Sequence, residues 1–316
     1  MIHHWLKLFR QQYINITLNT SRELETRILE TPGLWMETAE LEQLRKDLIT
    51  IASKTVSRGL LDYGVFAENG EAFKYSIITI VYEKDGKKPI AFNALAMIDL
   101  DLGNRIERVL HLGLVMVDPD ARSQGLSWIL YGLTCVFLFL RNQLRPVWVS
   151  NVTQVPAVVG MVSETFSEVF PSPGTENRCS LSHVLIARRI MENHRHVFGV
   201  GDDAKFDEKR FVITNAYTGG SDHLKKTFAK STKHRRDVFN DYCKAELNYR
   251  RGDDVIQLGK IDLNATRRFL TESVPKGSLA GLAIAGIWVV LNRLALPVLY
   301  WADPTRQWHN LRPYKQ

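Results

Sequence analysis

Between Ile106 and Asn151 the chain reads strand, turn, helix, strand, and this stretch narrows the folds open to it more than any other. IERVLHLGLVMV, residues 106–117, is an aliphatic and β-branched run with strand character. Asp118-Pro119-Asp120 supplies a turn. From Ser123 to Leu140, 18 residues pass without one charge. They predict a helix over 126–140 in which Trp128, Tyr131, Phe137 and Phe139 go nearly all round, so something must cover it. PVWVSN, residues 146–151, then reads as a short strand. A strand–helix–strand crossover of this length is right-handed and makes its two strands parallel.

The strands upstream pair the other way. KYSIITIVYE (74–83) and PIAFNALAMID (89–99) flank Asp85-Gly86, a hairpin signal. Asp101-Leu102-Gly103-Asn104 turns the second of these into the run at 106–117. Before them, Leu41, Leu44, Leu48 and Ile51 recur at helical spacing within 38–56. After the parallel unit come a helix over 155–169, broken by Pro171-Ser172-Pro173-Gly174, and a helical stretch over 181–198. Strands are expected over 210–217 and 254–262, with a basic helical stretch between them. The fold class is therefore α/β, a mixed antiparallel and parallel sheet flanked by helices. No internal repeat or low-complexity segment is present.

With 45% apolar and 24% charged residues, 316 residues can build a real core in one or two domains. Cys135, Cys179 and Cys243 are odd in number and form no CxxC pair. That argues against a disulfide framework or a metal site of zinc type and fits a reducing, cytoplasmic setting. MIHHWLKLFRQQYINITLNT has neither a long apolar core nor a small-residue cleavage site, so no secretory signal is expected. The net charge of +7 suits an anionic partner, whether a phosphate-rich cofactor, an anionic bilayer or a nucleic acid, and suits plain solubility equally.

The junction VDPDARSQGLSWILYG (117–132) sets a glycine at the mouth of the charge-free helix. A helix N-terminus offers unpaired N–H groups and partial positive charge. Gly125 lets backbone approach a ligand closely, Arg122 adds a fixed cation, and Gln124 and Ser127 add hydrogen-bonding groups. The stretch can cradle a pyrophosphate, although a tight turn alone would account for the glycine. It is neither a Walker A loop nor GxGxxG. Arg122-Ser123-Gln124-Gly125-Leu126-Ser127 resembles the R/Q-x-x-G-x-G/A loop of the GNAT superfamily of acyl-CoA-dependent N-acyltransferases. Val117-Asp118-Pro119 is similar to the V-x-P that ends that superfamily's fourth strand, and the element order agrees over roughly 38–170. Ser127 stands where the family has Gly or Ala.

The resemblance implies a GNAT-like domain at 38–200, an N-terminal extension at 1–37 and an additional C-terminal region at 201–316. It implies acetyl-CoA, or a longer acyl-CoA, as co-substrate, with transfer to an amine. Main-chain groups of Arg122, Ser123, Gln124, Gly125, Leu126 and Ser127 would take the pyrophosphate. Val115, Met116 and Val117 would meet the pantetheine arm where the two parallel strands splay, and a main-chain N–H there would polarise the thioester carbonyl. Asn151 stands where the family hydrogen-bonds that arm, and a strand-end cap is the plain alternative. The base that takes a proton from the amine would be Glu107 or His111, directly or through water. Glu107, Val109 and His111 share one strand parity and so one face, and both candidates read equally well as structural residues. The helix QVPAVVGMVSETFSEVF lacks the Tyr that many members use as acid, leaving Ser163 as the nearest hydroxyl. That departure keeps open a non-catalytic, membrane-associated binding protein on the same scaffold.

Two C-terminal features lie beyond the resemblance. HLKKTFAKSTKHRR (223–236) is basic, with only Phe228 interleaved, so a base-stacking nucleic-acid platform is not expected. GSLAGLAIAGIWVVLN (277–292), then Arg293 and LALPVLYWA, gives 23 residues from Leu279 to Trp301. As one helix that is about 35 Å, and buried core, membrane-surface contact and a full span all stay open, with Arg293 and Pro297 standing against the span. The covering of helix 126–140 falls to this region, to a second copy in a homo-oligomer or to lipid. A lipid seat favours a lipophilic amine acceptor and a place at the membrane. The acceptor itself carries no motif.

Overall fold

The computed structural model describes residues 12–55, 64–103, 105–122, 126, 128–175, 178–219 and 224–272. Between 283 and 302 it describes positions 283, 287, 290, 291, 294, 298, 301 and 302. The runs read as strands form β3 (Ser76–Glu83), β4 (Lys88–Asp101), β5 (Ile106–Val117) and β6 (Val147–Thr153). They are joined by β1 (Asn15–Asn19), β2 (Leu24–Glu30), β7 (Ser167–Phe170), β8 (Lys205–Asp207), β9 (Val212–Thr214) and β10 (Asp254–Ile261). One sheet holds them in the order β1-β2-β3-β4-β5-β6-β10-β9-β8, with β7 pairing β10 off that path. The sheet thus runs through the N-terminal, central and C-terminal stretches alike. β5 and β6 pair in parallel, Val109 opposite Trp148, Leu110 opposite Val149 and His111 opposite Ser150. The other pairings among the described strands are antiparallel. This is the mixed α/β class expected.

The helices are α1 (Thr38–Thr55), α2 (Thr134–Arg141), α3 (Pro156–Thr165), α4 (Leu181–Asn193), α5 (Asp237–Glu246) and α6 (Leu263–Glu272). They take the two faces of the sheet as strand alternation requires. Leu110 and Leu112 of β5 join a core with Ile77, Leu95 and the apolar side chains of α2. Val109, one residue out of phase, joins a second core with Trp148, Ile186 and Ile190 beneath α4. A third core under α1 holds Leu44, Leu48 and Ile51 against Ile78, Ile80 and Phe92.

Residues 128–133 begin the charge-free helix as a π-turn, and every residue of α2 is buried. The chain itself covers this helix. Ile14 and Ile16 from β1 share its core, and Phe269 and Leu270 from α6 pack against that core. Over Thr134–Arg141 the chain's own residues supply this cover. The C-terminal region supplies part of the cover, as one of the alternatives held. At the far end, buried Arg141 meets buried Glu30 at 3.6 Å and donates to the Gln12 carbonyl at 3.0 Å, tying α2 to the N-terminal hairpin.

Several boundaries differ from expectation. The helix expected over 155–169 stops at Thr165, because Phe166 turns extended and Ser167–Phe170 pairs with β10. Among its described residues the basic stretch is not α-helical before Asp237. It runs across α3, where the Thr232 carbonyl accepts from Ala157 N–H and Glu164 accepts from both Arg235 and Arg236. The strand expected over 210–217 contracts to β9, and the hairpin β1–β2 was not read from the sequence at all.

Candidate functional site

The site begins where the parallel pair ends. Past His111 and Ser150, β5 stays with β4 while β6 continues with β10, and the two strands part. A bulge in β5 marks the place, with Leu112 and Gly113 lying opposite the single residue Leu95. Bulges bend and twist the strand that carries them. Gly113 is required here, since a Cβ on it would stand 2.4 Å from the Ala94 carbonyl oxygen.

The parting opens a cavity of about 190 Å³ on the face shared by α1 and α4. Its wall is largely apolar, with Phe66, Ala94, Val152 and Phe198 among the lining residues. The polar groups that reach it include His111, Tyr75, Tyr217 and Asp254.

His111 is buried, its Nδ1 lies 3.0 Å from Ser150 Oγ, and its ring stacks on Phe198 with centroids 4.8 Å apart. Burial pushes its pKa down to about 4, so the imidazole is neutral at physiological pH. Asp254 opens β10 and is 5% exposed. The Tyr217 hydroxyl donates to its Oδ1 at 3.0 Å. Desolvation, with a smaller push from neighbouring Asp253, raises the Asp254 carboxyl to about 7 against the pull of the Tyr217 bond. Asp253 goes the other way. Arg251 donates to both its oxygens, at 2.7 and 2.6 Å, and with backbone N–H groups of Asn248 and Asn215 holds its pKa low despite burial. Two adjacent carboxyls are thereby driven apart, Asp253 held as the anion by Arg251 and Asp254 pushed toward its neutral form by burial.

The residues expected at the site fall into distinct places. His111 lines the cavity. Glu107, four residues upstream on the same strand and so about 13 Å away, pairs with Arg105 at 3.1 Å and is not among the lining residues. Val115, Met116 and Val117 pair with Asn93, Phe92 and Ala91 of β4, and their other edge is the one β6 has left. Asn151 donates to Gln257 Oε1 at 3.2 Å, and Ser163 Oγ accepts from Gln257 Nε2 at 3.1 Å. Both are buried against β10 and neither lines the cavity.

At the turn, buried Asp118 accepts from Lys54 at 2.6 Å and from Asp120 N–H at 3.1 Å, fixing the strand end to the end of α1. Arg122 is exposed, with its own N–H spent on the Pro119 carbonyl at 3.3 Å, and Leu126 is buried. Ser123, Gln124, Gly125 and Ser127 lie outside the described residues.

Asp254 and Tyr217 were missed in the sequence. An acid opening a strand reads as a solvated end, and Tyr217 sits in the turn-like NAYTGG. Two acids in a row, Asp253-Asp254, directly before the buried run VIQL were the available signal. Among the described residues no cluster of His, Cys, Asp and Glu could hold a metal ion, and Cys135, Cys179 and Cys243 are free thiols.

No family model matches the chain, and no curated protein matches it. Solved structures do, 17 chains in all. One is a variant of the spermidine N-acetyltransferase of Vibrio cholerae, 15% identical, with a TM-score of 0.28, covering 46% of this chain and 78% of that one. The fold class rests on the strand order and on the one parallel pair among the described strands, β5 with β6.

Proposed function

We propose that the chain is an acyl-CoA-dependent N-acyltransferase that moves an acyl group, acetyl in the first instance, to an amine. The observation that carries this reading is the parting of β5 and β6 at a cavity lined by His111. In this reading the pantetheine arm lies along the free edge of β5 at Leu114–Val117. A main-chain N–H there donates to the thioester carbonyl, and the 122–127 loop takes the pyrophosphate. The neutral amine attacks the carbonyl carbon, the C–N bond forms and the C–S bond breaks. His111 takes the proton that the attacking nitrogen loses and passes it to the leaving thiolate. Its depressed pKa suits the second half of that task, because an acidic imidazolium gives up a proton readily. His111 is preferred over Glu107 and Ser163 on position, since of the three it is the one among the residues that line the cavity.

Calorimetry with acetyl-CoA, beside Gly125→Trp, tests the cofactor site. Binding lost in the variant supports it. No binding of acetyl-CoA or of longer acyl-CoAs by the native chain sinks it. A second reading, a binding protein on the same scaffold without turnover, is favoured by the absence of Tyr from α3. Coenzyme A affinity with no thiol release on a broad amine screen would select it.

A membrane-surface seat for 277–302 belongs to the same proposal. Its support is that Ile287, Leu294, Val298 and Trp301 are helical and 60%, 67%, 61% and 86% exposed. Among the described residues no helix is long and apolar enough to cross a membrane. Flotation with anionic liposomes checks the seat, and a chain that stays wholly in the aqueous fraction lacks it.

A further inference from the structure

We propose that Asp254 is the carboxylate that binds an ammonium group in the cavity, and that the acceptor is a primary amine bearing one positive charge on an apolar body. The word acceptor rests on the acyl-transfer reading above, whereas the ammonium site stands on the cavity.

Asp254 is buried at the wall of a largely apolar space. Among the described residues the one side chain that donates to it is Tyr217, through a neutral hydroxyl, and no Lys or Arg lines the cavity. The nearest guanidinium, that of Arg251, is spent on Asp253. A buried carboxylate without a cation is costly, and an entering ammonium removes that cost. The Tyr217 hydroxyl holds Oδ1 and leaves Oδ2 to the ligand. Rings of Phe66, Tyr75 and Phe198 in the lining add faces that attract a cation.

The same lining sets the rest of the molecule. Among the described lining residues Asp254 is the one carboxyl, so a second ammonium would find no anion. With no Lys or Arg among the described lining residues, an acceptor's own carboxylate or phosphate would find no cation there. The space of about 190 Å³ equals about six water volumes, enough for a short alkyl or aryl-alkyl body. Before transfer the bound ammonium gives one proton to the Asp254 carboxylate. The nitrogen keeps the electron pair it needs to attack, and nothing is oxidised or reduced.

The test is equilibrium binding of n-hexylamine to the full chain without acyl-CoA, by calorimetry. Hexan-1-ol, 1,6-diaminohexane and 6-aminohexanoate are compared on the native protein, and hexylamine on Asp254→Asn. The expected result is that hexylamine binds at least tenfold more tightly than each of the other three and loses at least tenfold in Asp254→Asn. Hexanol or the diamine binding as tightly as hexylamine to the native chain overturns the proposal, and this arm needs no variant to fold. Undiminished hexylamine binding by a folded Asp254→Asn also overturns it. Acetyl-CoA is titrated into the same native sample. Amine bound and acetyl-CoA refused leaves the ammonium site standing and removes acyl transfer. Acetyl-CoA bound and hexylamine refused does the reverse.

Discussion

Asp254 and His111 share one cavity, and burial moves both toward their neutral forms, with opposite consequences for stability. The Asp254 carboxyl binds its proton more tightly folded, at about 7, than unfolded, near 3.8. Its ionisation therefore costs nothing below pH 4, costs progressively more between 4 and 7, and costs on the order of 4 kcal/mol above that. Asp254→Asn should raise the urea midpoint at pH 8 and leave it nearly unchanged at pH 4. A variant less stable than native at pH 8 would contradict this. His111 binds its proton less tightly folded, at about 4, than unfolded, near 6.5. Native stability thus falls as pH drops from 6.5 toward 4. His111→Leu should flatten that fall by roughly 2–3 kcal/mol, read from urea curves at pH 7.5 and 4.5, while ending thiol release from acetyl-CoA. Of the two residues, His111 was legible in the sequence as a polar interruption on one face of a strand. Asp254 was not read, because the one local sign, an acid pair ahead of an apolar run, also fits a solvated strand opening.

Among the elements, β5 decides the site. Its bulge at Leu112-Gly113 comes at the last parallel pair, so the strand bends where β6 leaves it. Gly113→Ala sets a Cβ against the Ala94 carbonyl oxygen at 2.4 Å, inside contact distance with backbone that cannot rotate away. The expected cost is about 1–3 kcal/mol from overpacking, with acetyl-CoA affinity falling more than the loss of stability explains. Thermal unfolding beside calorimetry separates the two effects. A stable variant with native affinity would mean that the bulge does not shape the opening. The π-turn that follows is pinned as well. Buried Asn93 donates to the Leu130 carbonyl, and its Oδ1 accepts from Thr79 N–H at 3.1 Å. Thr134, hydrogen-bonded to Thr79 at 2.6 Å, donates to the same carbonyl at 3.2 Å. Apolar periodicity places a helix here and says nothing of its first turn, which is set by partners about 37 to 55 residues away.

Across the whole molecule the sheet joins stretches that look separate in the sequence. β10 pairs with β6 from Val255 opposite Thr153 to Ile261 opposite Val147, and α6 covers the charge-free helix with Phe269. Residues 1–200 alone would leave β6 as an open edge and strip part of that cover. The expected outcome is that 1–200 is recovered in aggregates whereas 1–272 gives soluble, cooperatively unfolding protein, scored by soluble yield and circular dichroism. A folded, monomeric 1–200 would show that the C-terminal strands are an addition to a self-sufficient core. The sequence alone determined the central strands over 74–117 and 146–151, the two hairpins that join β3, β4 and β5, the parallel pair and the turn into an apolar helix. All of these follow from side-chain period, turn residues and crossover handedness acting within some forty residues. The tertiary structure alone decided what lines the cavity. His111 and Asp254 reach it from well-separated stretches of the chain because β5 pairs with β6 and β6 with β10. Asn151 and Ser163 are drawn away from it by Gln257. Membership of a cavity depends on which distant strands become neighbours, and no local pattern carries that information.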